Sequence, residues 1–524
     1  MSFVAALRRV ERALLSVSDK TGLLEFARGL AELNIELIAS GGTAAALRGT
    51  GLAVVDVAAL TGSPEMLGGR VKTLHPRVHG GILARRELAS DRADMESQAL
   101  ASIDLVVVNL YPFEATLLRP GVTREEIVEN IDIGGPSMIR SAAKNADYVG
   151  VVVDPADYAS VLDELRQHAG QLSGATRRRL AREAFAHTAA YDAAIAAYLA
   201  AETRGEGAES LPERISVSLR RTQALRYGEN PHQRAALYGH FLRAVEPLHG
   251  KELSYNNVVD VQAALELILD FDAEESAAVA ILKHNTPCGV GVAASPVAAY
   301  RNAFATDPES PFGGIVVSNR SLDLELAREV DEIFTEVLVA PEFAPDALAL
   351  LRKKKNRRLL RFHLERIERS ECQWRRVFGG LLVQEPDGSM ENLATAQVAT
   401  ARKPTEAELA ALAFAWKVAK HVKSNAVVFA AADRTLAIGG GATSRVDAVL
   451  AAREKAARVG NALRGSVLAS DAFFPFPDGL ESAVQAGATA IVQPGGSARD
   501  ADVIAAADRL GVAMLLTGIR HFRH

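Results

Sequence analysis

Short apolar runs alternate with helically spaced segments from the start of the chain. Residues 13–17 are apolar, and residues 20–33 place apolar side chains at helical intervals. Residues 35–39, 105–109 and 148–153 read as further buried strands, each ending just before polar or glycine-rich positions. That alternation predicts an open α/β sheet, whose ligand sites lie at the carboxyl ends of its strands. Residues 156–200 are Ala-rich and mostly helical, broken once by the turn-like AGQLSG. ETRGEGAESLPERI (202–215) then brings glycine, charge and proline together as a linker does. Two domains are therefore expected, residues 1–203 and 204–524. Beyond the linker, strands at 278–282, 314–317, 426–429 and 488–492 alternate with Ala-rich helices, which predicts a second α/β domain built from two similar halves.

Composition narrows the function classes. At 524 residues the chain exceeds one hydrophobic core. Its 59 Lys+Arg against 64 Asp+Glu lack the basic excess of a nucleic-acid binder. No apolar run is long enough for a membrane span. The N-terminus lacks the apolar core and cleavage site of a secretory signal. Two cysteines, Cys288 and Cys372, stand far apart in no metal-like spacing, which fits a reducing, cytoplasmic setting.

LLSVSDKTGL (14–23) places Ser16, Ser18 and Lys20 directly after a strand and at an expected helix start, where backbone N–H groups favour an anion. Ser18 acting only as a helix cap is the plainer alternative. The next strand ends in Ser40, Gly41, Gly42 and Thr43, and two such loops on neighbouring strands favour a phosphate cradle. GGRVKTLHPRVHGG (68–81) packs arginines, a lysine and histidines among glycines without apolar periodicity, so it reads as a binding loop. NLYPFE (109–114) puts polar groups at a strand end, and ENIDIGGPSMIRSAAKN (129–145) holds Asp132 before a double glycine and Lys144 within a helix.

In the second domain, RYGENPHQ (226–233) and KELSYNN (251–257) are polar clusters of little core value. KHNTPCGVG (283–291) follows an apolar strand and puts Lys283 and His284 where a catalytic base belongs. DPESPFGG (307–314), KSNAVVF (423–429), IGGGATSRVDAV (438–449) and SDAFFPFPDG (470–479) continue the pattern. The run RKKKNRR (352–358) reads as a solvated face.

Taken together, these motifs resemble the bifunctional phosphoribosylaminoimidazolecarboxamide (AICAR) formyltransferase/IMP cyclohydrolase family, from LLSVSDKTGL to the terminal GIRHFRH. For the first domain the resemblance implies a methylglyoxal-synthase-like, Rossmann-like fold performing ring closure. Ser16, Ser18, Lys20, Ser40, Gly41, Gly42, Thr43, Arg70 and Thr73 match nucleotide-binding positions, and Lys72, Tyr111, Asp132 and Lys144 match residues assigned to cyclisation. For the second it implies a duplicated, cytidine-deaminase-like fold without zinc. There Lys283 and His284 match the formyl-transfer pair, and Asn425 a residue that orients it. Arg226, Tyr227, Arg445, Phe473 and Arg520 match positions around the ribonucleotide, and Asp478 a carboxylate that pairs with the pterin of 10-formyltetrahydrofolate. The turn after the pair departs from the family's pattern, reading Asn285, Thr286, Pro287. A homodimer, a potassium ion as accessory cation, and a cytoplasmic location belong to the same expectation. Two alternatives predict different behaviour: a nucleotide-sensing regulatory module, or an enzyme with one live activity.

Overall fold

The computed structural model describes residues 6–202, 211–369, 372–390 and 392–524. It divides into two compact units, 1–218 and 219–524. Most of the predicted linker, residues 203–210, lies outside the described residues.

The first unit is built on a five-stranded parallel sheet. Its strands lie in the order Val55–Asp56, Glu36–Ala39, Arg12–Val17, Leu105–Asn109, Gly150–Val152. Ala13, Leu14 and Leu15 are all fully buried in succession, as in a sheet covered on both faces. Strand order reverses between Arg12–Val17 and Leu105–Asn109, so the crevice for a ligand opens there. Helix Leu23–Glu32 begins at Gly22, so Ser18 belongs to a loop and does not cap it. The AGQLSG turn contains a short strand, Gln171–Leu172, paired with Arg8–Arg9. Gly174–Glu202 then runs as one long helix.

In the second unit, two six-stranded sheets share one topology. The first runs Val245–His249, Arg358–Phe362, Val337–Ala340, Ile315–Ser318, Ala277–Lys283, Thr286–Ala293. The second runs Gln397–Val398, Ala513–Leu516, Ala488–Gln493, Ser466–Ser470, Val427–Ala430, Thr435–Gly439. Each joins an antiparallel edge pair, two parallel pairings, a further antiparallel pairing and an antiparallel hairpin in the same chain order, the signature of a duplication. Strand alternation partitions the core. Ala278, Ala280 and Leu282 join a central core with Val428, Ala430 and Trp416, whereas Ala277, Val279 and Ile281 face an outer helical layer. Helices Tyr255–Ile268 and Glu406–Ala419 contribute to that central core, which belongs to both halves.

The basic run 352–358 is not a solvated face throughout. Arg357 is 1% exposed and donates to Asp331 at 2.7 Å, and Arg358 donates to Glu336 at 3.0 Å. KELSYNN likewise has structural value: Ser254 caps helix Tyr255–Ile268 in a capping box with the buried Asn257.

Candidate active sites

At the reversal point of the first sheet, Asn109 ties two loops together. Its Oδ1 accepts the N–H groups of Ser18 (2.6 Å) and Asp19 (2.9 Å), while its Nδ2 donates to the Asp19 carbonyl (2.8 Å). Beside this loop, helix Gly41–Arg48 begins after an extended Ser40 whose side chain caps nothing. Lys72 Nζ lies 3.2 Å from where a Cβ on Gly41 would stand, and Lys20 Nζ 4.0 Å from that of Gly42. Two ammonium groups at the positive pole of a helix repel each other and the pole, an arrangement that an anion relieves. Lys72 also pairs with Glu65 at 2.9 Å, a partner not anticipated from sequence.

Thr43 also serves the fold. Its hydroxyl is buried and bonds the Val17 N–H and carbonyl at 3.0 and 3.1 Å, so it joins helix to strand. Arg70 is exposed and paired with Glu129. The GGRVKTLHPRVHGG segment is only partly a loop, because helix Pro76–Leu83 takes its second half. His75 caps that helix, and His79 packs inward on Ser141 at 3.0 Å with burial lowering its pKa.

Asp132 precedes helix Gly134–Lys144 and accepts the Gly135 N–H at 2.8 Å. A Cβ on Gly135 would stand 2.4 Å from the Asp132 carboxylate, and one on Gly134 would stand 2.7 Å from the Thr73 hydroxyl; the double glycine is what lets both side chains close on the helix start. Burial raises the Asp132 pKa, and the N–H groups of Gly135, Tyr111 and Gly134 only partly offset this. Tyr111 itself is exposed. The helix therefore brings Asp132 and Thr73 together but carries Lys144 away: ten residues at about 1.5 Å each put it roughly 15 Å along the axis. There Lys144 lines an open groove of about 490 Å³ with Arg140, Ser141 and Phe185.

In the second unit, Lys283 closes the strand Ala277–Lys283 and pairs with Thr286, so His284 and Asn285 form a two-residue hairpin turn. Both have positive φ, 54° and 63°, the mirror-image turn geometry that matches strand twist. This puts the His284 side chain at an exposed tip. Lys283 Nζ donates to the carbonyls of Phe312 (2.9 Å) and Ser310 (3.4 Å). The Asn285 N–H is accepted by Asp260 at 2.7 Å. Burial raises the Asp260 pKa against the opposing pull of the Asn285 N–H and of the His284 and Lys423 charges. Asp260 thus ties the turn to helix Tyr255–Ile268. Its signal in the sequence was a carboxylate set between valines in the mostly apolar run VVDVQAALELI.

Asn425 accepts Arg445 Nη2 at 2.9 Å and donates to the Ala442 carbonyl at 3.0 Å. Arg445 is buried, donating also to the Ala426 carbonyl and pairing with Asp471. Its expected place at the ribonucleotide is thus combined with a grip on Asn425. Phe473 sits on the loop after strand Ser466–Ser470, and Asp478 in the first turn of the helix that follows, Pro477–Ala486. Gln493 accepts the Phe474 N–H at 2.7 Å, joining this loop to the glycine pair Gly495 and Gly496, and Arg499 stacks on Phe476. Arg226 stacks on Tyr227, and Arg520 on Phe522.

Two lysines at a helix start near a half-buried carboxylate on one unit, and a lysine–histidine pair at a hairpin tip on the other, are groupings of the kind found in enzyme active sites. Comparison with known proteins agrees. Residues 142–455 match the family described as AICARFT/IMPCHase bienzyme, and residues 22–137 match the MGS-like domain. Proteins named bifunctional purine biosynthesis protein PurH are similar over nearly the whole length. The one from Chloroflexus aurantiacus is 58% identical, covering 98% of this chain and 99% of its own. That from Myxococcus xanthus is 53% identical, covering 98% and 100%. The chain belongs to the AICARFT/IMPCHase bienzyme family, and is an enzyme of purine biosynthesis with a transferase and a hydrolase activity.

Proposed function

We propose that the second unit transfers a formyl group from 10-formyltetrahydrofolate to AICAR, and that the first closes the formylated product to inosine monophosphate with loss of water. The observation that carries this reading is the hairpin tip, where Lys283 and His284 are adjacent but differently held. The amine of AICAR is conjugated with its ring and is a poor nucleophile. His284 takes its proton as it attacks the formyl carbon, and Lys283, aimed by two carbonyls, donates to the oxyanion that forms. Asn425, fixed by Arg445, orients this pair. Asp478, with Phe476 and Arg499 beside it, offers an acceptor and a flat surface to the pterin.

In the first unit, Ser16, Ser18, Lys20 and the residues from Ser40 to Thr43 receive the phosphate, with Arg70 and Thr73 alongside. Asp132 acts as proton acceptor, and Lys72 and Tyr111 stabilise the oxyanion. Lys144 acts in ring closure only if the groove beside Arg140 holds part of the substrate. Formyl transfer to so weak an amine is nearly balanced, and aromatic ring closure draws it forward.

The chain acts in the cytoplasm as a homodimer. A two-stranded hairpin, Gln373–Val377 with Gly380–Gln384, presents Trp374, Phe378, Leu381 and Leu382 to solvent, and an isolated hairpin needs a further surface to be stable. Zinc has no part in the proposal, and potassium is tested by assay in potassium against choline salts.

Purified protein incubated with AICAR and 10-formyltetrahydrofolate is expected to release tetrahydrofolate and form inosine monophosphate. Tetrahydrofolate alone would leave only the second unit active, and neither product would favour a nucleotide-sensing module. A Lys144→Ala variant that accumulates the formylated intermediate supports a role for Lys144; one with unchanged ring closure removes it.

A further inference from the structure

Lys283 Nζ carries three protons, and two point at the carbonyls of Phe312 and Ser310. The direction of the remaining proton therefore depends on how those peptide planes are set. They belong to the loop between helix Pro296–Thr306 and strand Ile315–Ser318. Asp307 organises this loop by accepting the N–H groups of Glu309 (3.1 Å) and Ser310 (3.0 Å). Asp307 is in turn clamped by Lys455, whose Nζ lies 2.7 Å from its carboxylate and donates to the Ser310 hydroxyl at 3.1 Å. The side chains of Lys455 and Asp307 are only 21% and 9% exposed, so water competes weakly for this pair. Lys455 stands on helix Arg445–Val459, which belongs to the other half of the duplicated unit.

We propose that Lys455, acting through Asp307 and the Ser310 peptide, is a positioning residue for Lys283, so that one half of the duplication aims the formyl-transfer lysine of the other. This rests on the role assigned to Lys283 above. An ammonium aimed at an oxyanion loses rate steeply when misplaced, whereas nucleotide binding is little affected.

The test is a double-mutant cycle on the full chain, read as kcat and KM for formyl transfer. Lys455→Met is expected to lower kcat about 10- to 100-fold while KM for AICAR changes less than about threefold. Lys455→Arg should recover most of the rate, and Lys283→Met/Lys455→Met should be no slower than Lys283→Met alone. If Lys455→Met fails to fold, Asp307→Asn/Lys455→Met, which leaves no unpaired buried charge, is held to the same criteria. Losses that multiply across the cycle, or a Lys455→Met kcat within about twofold of the parent, overturn the inference. Undiminished formyl transfer in Lys283→Met overturns instead the role of Lys283 on which it rests.

Discussion

Asp132 is held by backbone N–H groups yet has its carboxyl raised, because burial outweighs them. A carboxylate raised in the folded state is a stability cost: the chain is more stable below the unfolded pKa of about 3.9, and loses that margin as pH rises through the folded value. Asp132→Asn should therefore raise the melting temperature at neutral pH while abolishing ring closure, measured by thermal unfolding and by inosine monophosphate formation from the formylated intermediate. An unchanged or lower melting temperature would contradict the electrostatic account. His284 offers the complementary case. Its φ of 54° is tolerated by asparagine, so His284→Asn should keep the hairpin and the melting temperature but remove the proton acceptor. Formyl transfer is expected to fall at least about 100-fold, the usual contribution of a general base.

The helices between the two sheets are joined by a buried ionic cluster just past their ends. Asp270 follows helix Tyr255–Ile268 and accepts Lys420 (3.1 Å) and His421 (2.7 Å), which follow helix Glu406–Ala419. Burial alone would raise the Asp270 carboxyl; His421 and Lys420 outweigh it and hold it well below the ordinary range. The stability this supplies is present above the unfolded pKa of about 3.9 and is lost as pH falls toward the folded value. Lys420 and Asp270 are each 7% exposed, so Asp270→Asn would strand a buried cation. That should cost about 3–5 kcal/mol in urea unfolding of the second unit. A cost below about 1 kcal/mol would place the cluster with ordinary surface pairs.

On the scale of the whole molecule, the proposed homodimer is testable at the exposed hairpin. Phe378→Asp with Leu382→Asp should convert a dimer to a monomer in sedimentation. Ring closure in the first unit should persist, since its sheet and core lie within residues 1–218. A dimer that survives both substitutions would mean another surface holds it. The sequence by itself determined the α/β class and the principal strands, and it marked the loops proposed to carry the chemistry. Apolar runs and their polar ends are local patterns, and sheet sites follow from strand ends. It also pointed to Lys283 with His284 and to the cradle of Ser40, Gly41 and Gly42. Only the tertiary structure decided which polar residues serve the fold: Thr43 turned to a strand, Arg357 buried on Asp331, and His79 packed against Ser141. Only it separated Lys144 from Asp132, and brought Asp260 to the hairpin tip and Lys455 to the loop that holds Lys283. These outcomes depend on contacts between residues far apart in the chain, and whether a polar side chain meets a partner or solvent is settled only when those distant segments pack.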